Sequence, residues 1–236
     1  MILGGLIYLE LIAVLFSLPC FWHAKKHYGK WMAWCFIIGS FVFTGLQESI
    51  WILFGRFTGL AGTVGLGETV HGTYWFPKAL LRFVEIPVYG CLSWFYVAYS
   101  SVWIATKACR SGNVITVAAI GSLIAMLVDI WVYPVQTAPE NMMWVWAQQD
   151  VIRIYGIPIS NFTGWFLMIF FFALVLENLP RWESSWGRAK ATKVFFLTLL
   201  VGDVGMTAVN SVVDWVIRGV VVASGFTSTL NIPVGW

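Results

Sequence analysis

Six apolar runs, at about 2–22, 31–54, 79–106, 113–135, 156–179 and 194–223, set what this chain can become. A helix rises about 1.5 Å per residue, so roughly 20 apolar residues cross the ~30 Å hydrocarbon core of a bilayer. Lipid offers the backbone no hydrogen-bond partner, and a helix satisfies its own peptide groups. The expected fold is therefore all-α, a polytopic transmembrane helix bundle of six spans with room for a seventh. Residues 1–236 would form a single transmembrane domain. Only 11% of the 236 residues are charged, against about 25% in soluble domains, which excludes a soluble globular enzyme. The last run is long enough to tilt, kink or break at Gly219 or Gly225, and no internal repeat stands out. Glu10 interrupts the first run, which has no basic leader segment; a retained span is expected there rather than a removed signal.

The basic residues orient the bundle. Lys25, Lys26, Lys30, Lys107, Arg110, Arg181, Arg188, Lys190 and Lys193 fall in the first, third and fifth loops, whereas the second and fourth carry only Arg56, Lys78 and Arg153. Positive loops stay in the cytoplasm, so nine against three predicts a multi-pass cell-membrane protein with both termini on the outer face. The two longest loops, 55–78 and 136–153, then share that face. The net charge of +3 is unclustered, and nucleic acid is not an expected partner. Cys20, Cys35, Cys91 and Cys109 have no paired spacing and read as small buried hydrophobes. His23 and His27 stand at i, i+4, but Lys25 and Lys26 beside them favour a headgroup-facing role over a metal site. No histidine lies within a run, which argues against haem, and no cofactor is expected.

Charged groups within spans are costly and therefore informative. Glu10, Glu48, Glu85, Asp129, Asp203 and Asp214 are the candidates. In the proposed orientation Glu48 ends span two, Glu85 begins span three, Asp129 ends span four and Asp214 lies late in span six. Asp150, just before span five, would reach the same level. Acids from several segments at one depth suggest a common cavity toward the outer leaflet. Arg82 with Glu85 and Asp214 with Arg218 could equally be ion pairs along their own helices. Glu48 and Asp129 have no basic residue within a turn, which favours function. Glu10, Asp203 and Asn210 read as structural hydrogen-bonding groups.

Fifteen tryptophans are present. Trp22, Trp31, Trp182 and Trp186 fall where an interfacial belt would lie. Trp144, Trp146, Tyr155 and Trp165 instead surround the polar loop holding Asp150, where their faces could anchor the interface or stabilise a carbocation. Asn161-Phe162-Thr163 is formally a glycosylation sequon, but its place at a span start argues against modification.

Residues 127–166 read LVDIWVYPVQTAPENMMWVWAQQDVIRIYGIPISNFTGWF. This segment resembles the membrane carotenoid-biosynthesis family that includes the bisanhydrobacterioruberin hydratases. Asp129, Pro134, Trp144, Trp146, Tyr155, Gly156, Ile157, Pro158, Asn161, Gly164 and Trp165 carry the likeness. Weaker similarity runs through Glu48, Tyr74 and Ser93-Trp94. The chain departs at Tyr133, where the family commonly has Asp before the proline. The resemblance implies hydration of the terminal C=C bonds of a C50 carotenoid, with long-chain isoprenoid and membrane lipid as partners.

Acid-initiated chemistry fits both the residues and the resemblance. A carboxylic acid protonates the alkene, and water activated by a carboxylate captures the tertiary cation. Asp129 or Glu48 would be the acid, with Asp150 assisting water. Trp144, Trp146, Tyr155, Asn161, Trp165, Glu85 and Tyr133 would shape the substrate site. Cyclisation would use the same protonation. A transporter, which would be expected to show internal repeats, and a non-catalytic subunit of a membrane complex are the rival readings.

Overall fold

The computed structural model describes residues 2–57, 61–63, 69–71, 74–109, 112–137, 143–146, 153–154, 157–224 and 231–232. Helix α1 spans Ile2–Tyr28. Helix α2 (Lys30–Gly39), a π-helical stretch (Ser40–Leu46) and α3 (Gln47–Phe57) then follow one another without a break. Helices α4 (Val88–Ala108), α5 (Val114–Thr137), α6 (Ile159–Trp186) and α7 (Arg188–Ala223) complete an all-α bundle. The last helix passes through Gly219 without the break that glycine could have introduced, while Gly225 lies outside the described residues.

Among the described residues, five stretches are long and apolar enough to cross a membrane, lying in α1, the α2–π–α3 rod, α5, α6 and α7. Helix α4 is richer in serine and tyrosine and is well enclosed, with Tyr89, Phe95, Tyr99 and Val102 buried. Neighbours around the bundle run α1, α2, α7, α6, α5, α4 and back to α1. Large apolar side chains such as Leu15, Trp131, Val201 and Trp215 point outward, as lipid-facing surface requires.

The short connections collect at one end. Arg188, which opens α7, lays its guanidinium against Gly29, between α1 and α2. Lys25 sits 4.8 Å over the Trp22 ring and Lys190 5.5 Å over Trp186. This pairing of cations with amphipathic rings suits a membrane–water boundary. The His23 and His27 rings meet at this end, tilted, with centroids 4.2 Å apart, and His23 Nδ1 lies 2.7 Å from the Tyr99 hydroxyl. The two longest loops meet at the opposite end, where Tyr74–Trp75 pairs antiparallel with Val145–Trp146. Glu10 works there as a structural acceptor: its carboxylate takes the Leu81 N–H and ties α1 to the segment ahead of α4.

The run at 79–106 is helical only from Val88. Arg82–Phe83 and Ile86–Pro87 form a two-stranded turn instead, because proline lacks an N–H and disfavours helix in the residue before it. The expected Arg82–Glu85 pairing along a helix is therefore corrected. Arg82 donates to the backbone carbonyls of Glu85 and Phe76, at 3.0 and 2.5 Å.

This turn also reveals a recurrence that was not evident in the linear sequence. Arg82-Phe83-Val84-Glu85-Ile86-Pro87 is matched by Arg153-Ile154-Tyr155-Gly156-Ile157-Pro158. Both units pair arginine with proline and the next residue with isoleucine in the same register. Each proline leads directly into a helix, with φ and ψ near −59° and 141°, and each helix carries tryptophan at its seventh residue, Trp94 and Trp165. Trp75 and Trp146 also correspond, each seven residues before its arginine, and their strands pair with each other. The preceding rods, α2–π–α3 and α5, both start at the short-loop end. The two units thus run in the same direction through the bundle.

Helices α6 and α7 approach closely at Gly202, where a Cβ would lie 1.9 Å from the Phe171 ring. Gly202→Ala is expected to destabilise the protein by about 1–3 kcal/mol, because the ring must move within a packed interface. Thermal unfolding in detergent measures this, and an unchanged midpoint would show that Phe171 yields freely.

Candidate functional site

The repeats place one carboxyl in each half of the site. Glu48 stands one residue into α3, just beyond the π stretch, and accepts the Trp94 indole N–H at 3.0 Å. The Tyr74 phenol faces the same carboxylate from the long-loop end. Burial, then the neighbouring Glu48 charge, holds the Tyr74 phenol well above its ordinary value, so it remains a donor. In the second half, Asp129 is 2% exposed and its Oδ2 accepts the Asn161 amide at 2.8 Å. Tyr133, one turn further along α5, faces the same carboxylate, and its hydroxyl accepts the Trp165 indole N–H at 3.0 Å.

The halves meet where Trp94 and Trp165 stack, with centroids 3.8 Å apart and planes 9° from parallel. A second aromatic path joins them at the long-loop end. Tyr74 lies 5.0 Å from Trp146 and 5.6 Å from Trp144, and Trp144 meets the edge of Tyr133 at 4.4 Å. Between these elements opens a cleft of about 280 Å³, lined by Glu48, Tyr74, Trp94, Trp144, Trp146 and Trp165 and bordered on α7 by Asn210 and Asp214. The buried indole N–H groups of Trp144 and Trp146, and Asp129 Oδ1, have no hydrogen-bond partner among the described residues. Unpaired buried donors are costly unless something completes them. The two indoles offer donors to an oxygen entering the cleft.

Local chemistry explains the N-x-x-G-W pattern at the start of α6. Asn161 reaches Asp129. Gly164 leaves room for Asn210, whose amide nitrogen would stand 3.0 Å from a Cβ at that position. Asn210 then donates to the Ser160 carbonyl at 3.0 Å and accepts from Thr163 at 2.7 Å, which locks α6 to α7. With Asn161 engaged by a buried carboxylate, the sequon is used as a helix contact.

The structure thus gathers Glu48, Asp129, Tyr133, Trp144, Trp146, Asn161 and Trp165 into one region. Asp150 and Tyr155 lie outside the described residues. Glu85 sits in the turn ahead of α4 rather than at a helix start. Its N–H donates to Ser49 Oγ at 3.2 Å, and it does not line the cleft. Of the further pair, Arg218 has a side chain outside the described set. The linear sequence marks Trp94 and Tyr74 only through the resemblance, whereas both line the cleft beside Glu48 and Trp94 bonds it directly. The matching positions of Trp94 and Trp165 were the signal that could have found the first of them.

No curated protein and no solved structure matches the chain. The family model described as carotenoid biosynthesis protein matches residues 4–230, nearly the whole length. The chain belongs to the carotenoid biosynthesis protein family.

Proposed function

We propose that this membrane protein of carotenoid metabolism is an enzyme that adds water to terminal C=C bonds of a long-chain carotenoid. The observation that carries the reading is Glu48, a carboxyl that accepts from Trp94 and faces Tyr74 on the wall of an aromatic cleft whose Trp144 and Trp146 indoles have no acceptor among the described residues. A proton transferred to the less substituted alkene carbon leaves a tertiary cation. Aromatic faces stabilise such a cation by about 2 kcal/mol or more in a desolvated site. Water held through one lone pair by an indole N–H attacks the cation with the other and loses a proton to a carboxylate. Glu48 is placed to exchange that proton, while Asp129 positions Asn161 and Tyr133 behind the Trp165 wall. Asp150 remains a candidate to assist water. In the same reading the basic end faces the cytoplasm and both termini lie outside the cell membrane.

The test is mass spectrometry of lipids from a carotenoid-producing host with and without the gene. Polyenes heavier by one or two water masses support hydration. An isomer of unchanged mass would indicate cyclisation from the same protonated site. No change in an active host would point to a transporter or a subunit; the internal recurrence is the feature a transporter would share. Asp129→Asn is expected to lower turnover by about 10- to 100-fold, because misplacing a site wall costs rate even when the reacting groups survive. Full turnover in that variant would remove Asp129 from the site.

A further inference from the structure

Below the cleft lies a second, smaller chamber of about 90 Å³, which shares Trp94 and Met168 with it. Its wall is aromatic, formed by Phe36, Phe43, Trp94, Phe95, Phe171 and Phe172. The π stretch opens toward it through Ser40 and Thr44, and such stretches frequently mark functional sites. Asp203 of α7 lines this chamber, is 5% exposed, and its Oδ1 has no hydrogen-bond partner among the described residues.

The nearby polar groups are already engaged. Ser40 donates to the Ile37 carbonyl at 2.8 Å and Thr44 to the Ser40 carbonyl. One turn beyond Asp203, Thr207 accepts from Gln47. A carboxyl that faces an apolar aromatic chamber, with its Oδ1 unpaired among the described residues, serves poorly as a structural hydrogen-bonding group. It is well placed to act on a hydrocarbon. At about 1.5 Å per residue from the short-loop end, Asp203 stands roughly 22 Å along α7 and Glu48 roughly 27 Å along the α2–π–α3 rod. The two acids therefore sit about one turn apart in depth, Asp203 lining the chamber and Glu48 the cleft, which share Trp94 and Met168.

We infer that the deep chamber is the binding site for the methyl-branched alkene terminus of an isoprenoid chain, and that Asp203 is the catalytic acid that protonates it. The inference rests on the hydration reading above and divides its two proton transfers between two chambers. The Asp203 O–H bond breaks as the alkene π pair forms a C–H bond at the less substituted carbon. The tertiary cation is left facing the cleft. A water oxygen there forms the C–O bond, and its proton passes to the Glu48 carboxylate. One water is added, and return of the proton from Glu48 to Asp203 through cleft water resets the site. The empty space suits a small branched group, being below the ~150 Å³ of an apolar cavity that holds benzene.

The full chain and its variants can be expressed in a carotenoid-producing host, with hydrated product and co-purified polyene measured on the same samples. Asp203→Asn is expected to cut product at least about 100-fold, the loss of a general acid, while the polyene remains bound. Asp203→Glu should restore part of the product. Ala98→Leu, which fills the chamber from α4 without touching the cleft, is expected to remove the bound polyene. Product from Asp203→Asn above a tenth of the unsubstituted level would overturn the acid assignment. If that variant does not accumulate, Ala98→Leu decides: unchanged bound polyene and product would overturn the chamber as the binding site. Absence of hydrated product from the unsubstituted chain would instead overturn the hydration reading and the acid role that rests on it. Polyene retention in Ala98→Leu would still test the chamber separately.

Discussion

Glu48→Gln is expected to lower formation of hydrated polyene by about 1000-fold, within the range that a positioned acid or base contributes. The substitution is nearly isosteric. The glutamine side-chain carbonyl can still accept the Trp94 N–H that Glu48 takes at 3.0 Å. The lost property is proton exchange, so the aromatic wall should hold its shape. Measured together, product formation and co-purified polyene separate chemistry from binding: product falls while the polyene stays. A Glu48→Gln protein retaining more than a tenth of its turnover would remove Glu48 from the mechanism.

Trp165→Ala carries the largest expected effect on stability, about 3–5 kcal/mol, as large aromatic truncations in packed interiors do. Trp165 is 6% exposed, stacks on Trp94 and donates to Tyr133 at 3.0 Å. Its removal opens a cavity between α4, α5 and α6 and leaves the buried Tyr133 hydroxyl without that donor. Trp165→Phe keeps much of the stacked surface and loses the N–H, so it should cost about 1 kcal/mol more than a neutral change. Unfolding midpoints in detergent give both values. An alanine variant within 1 kcal/mol of the parent would show that the Trp94–Trp165 stack is not a structural centre.

Tyr133, directly before Pro134, sets a phenol at the end of α5 that accepts from Trp165 and faces Asp129. Asp129 therefore shares its helix end with a phenol.

Much of the bundle was legible in the residues alone. Apolar runs longer than a bilayer is thick define long helices whatever packs against them, and intramembrane acids mark themselves by their cost. The 127–166 segment likewise displayed Asp129, Trp144, Trp146, Asn161 and Trp165 as one group. Linear spacing could not show that Glu48 bonds Trp94 across 46 residues or that Asp129 bonds Asn161 across 32, since such partners are chosen by how helices pack. Nor could it show that Asp203 lines an aromatic chamber with its Oδ1 unpaired among the described residues. The hairpin repeat was written in the sequence, yet it became evident through the matching register of its two turns and the stacking of its two tryptophans. Periodicity determines which segments are buried in lipid; packing decides which of their few polar atoms meet, because a buried polar group is stable only where a specific neighbour completes it.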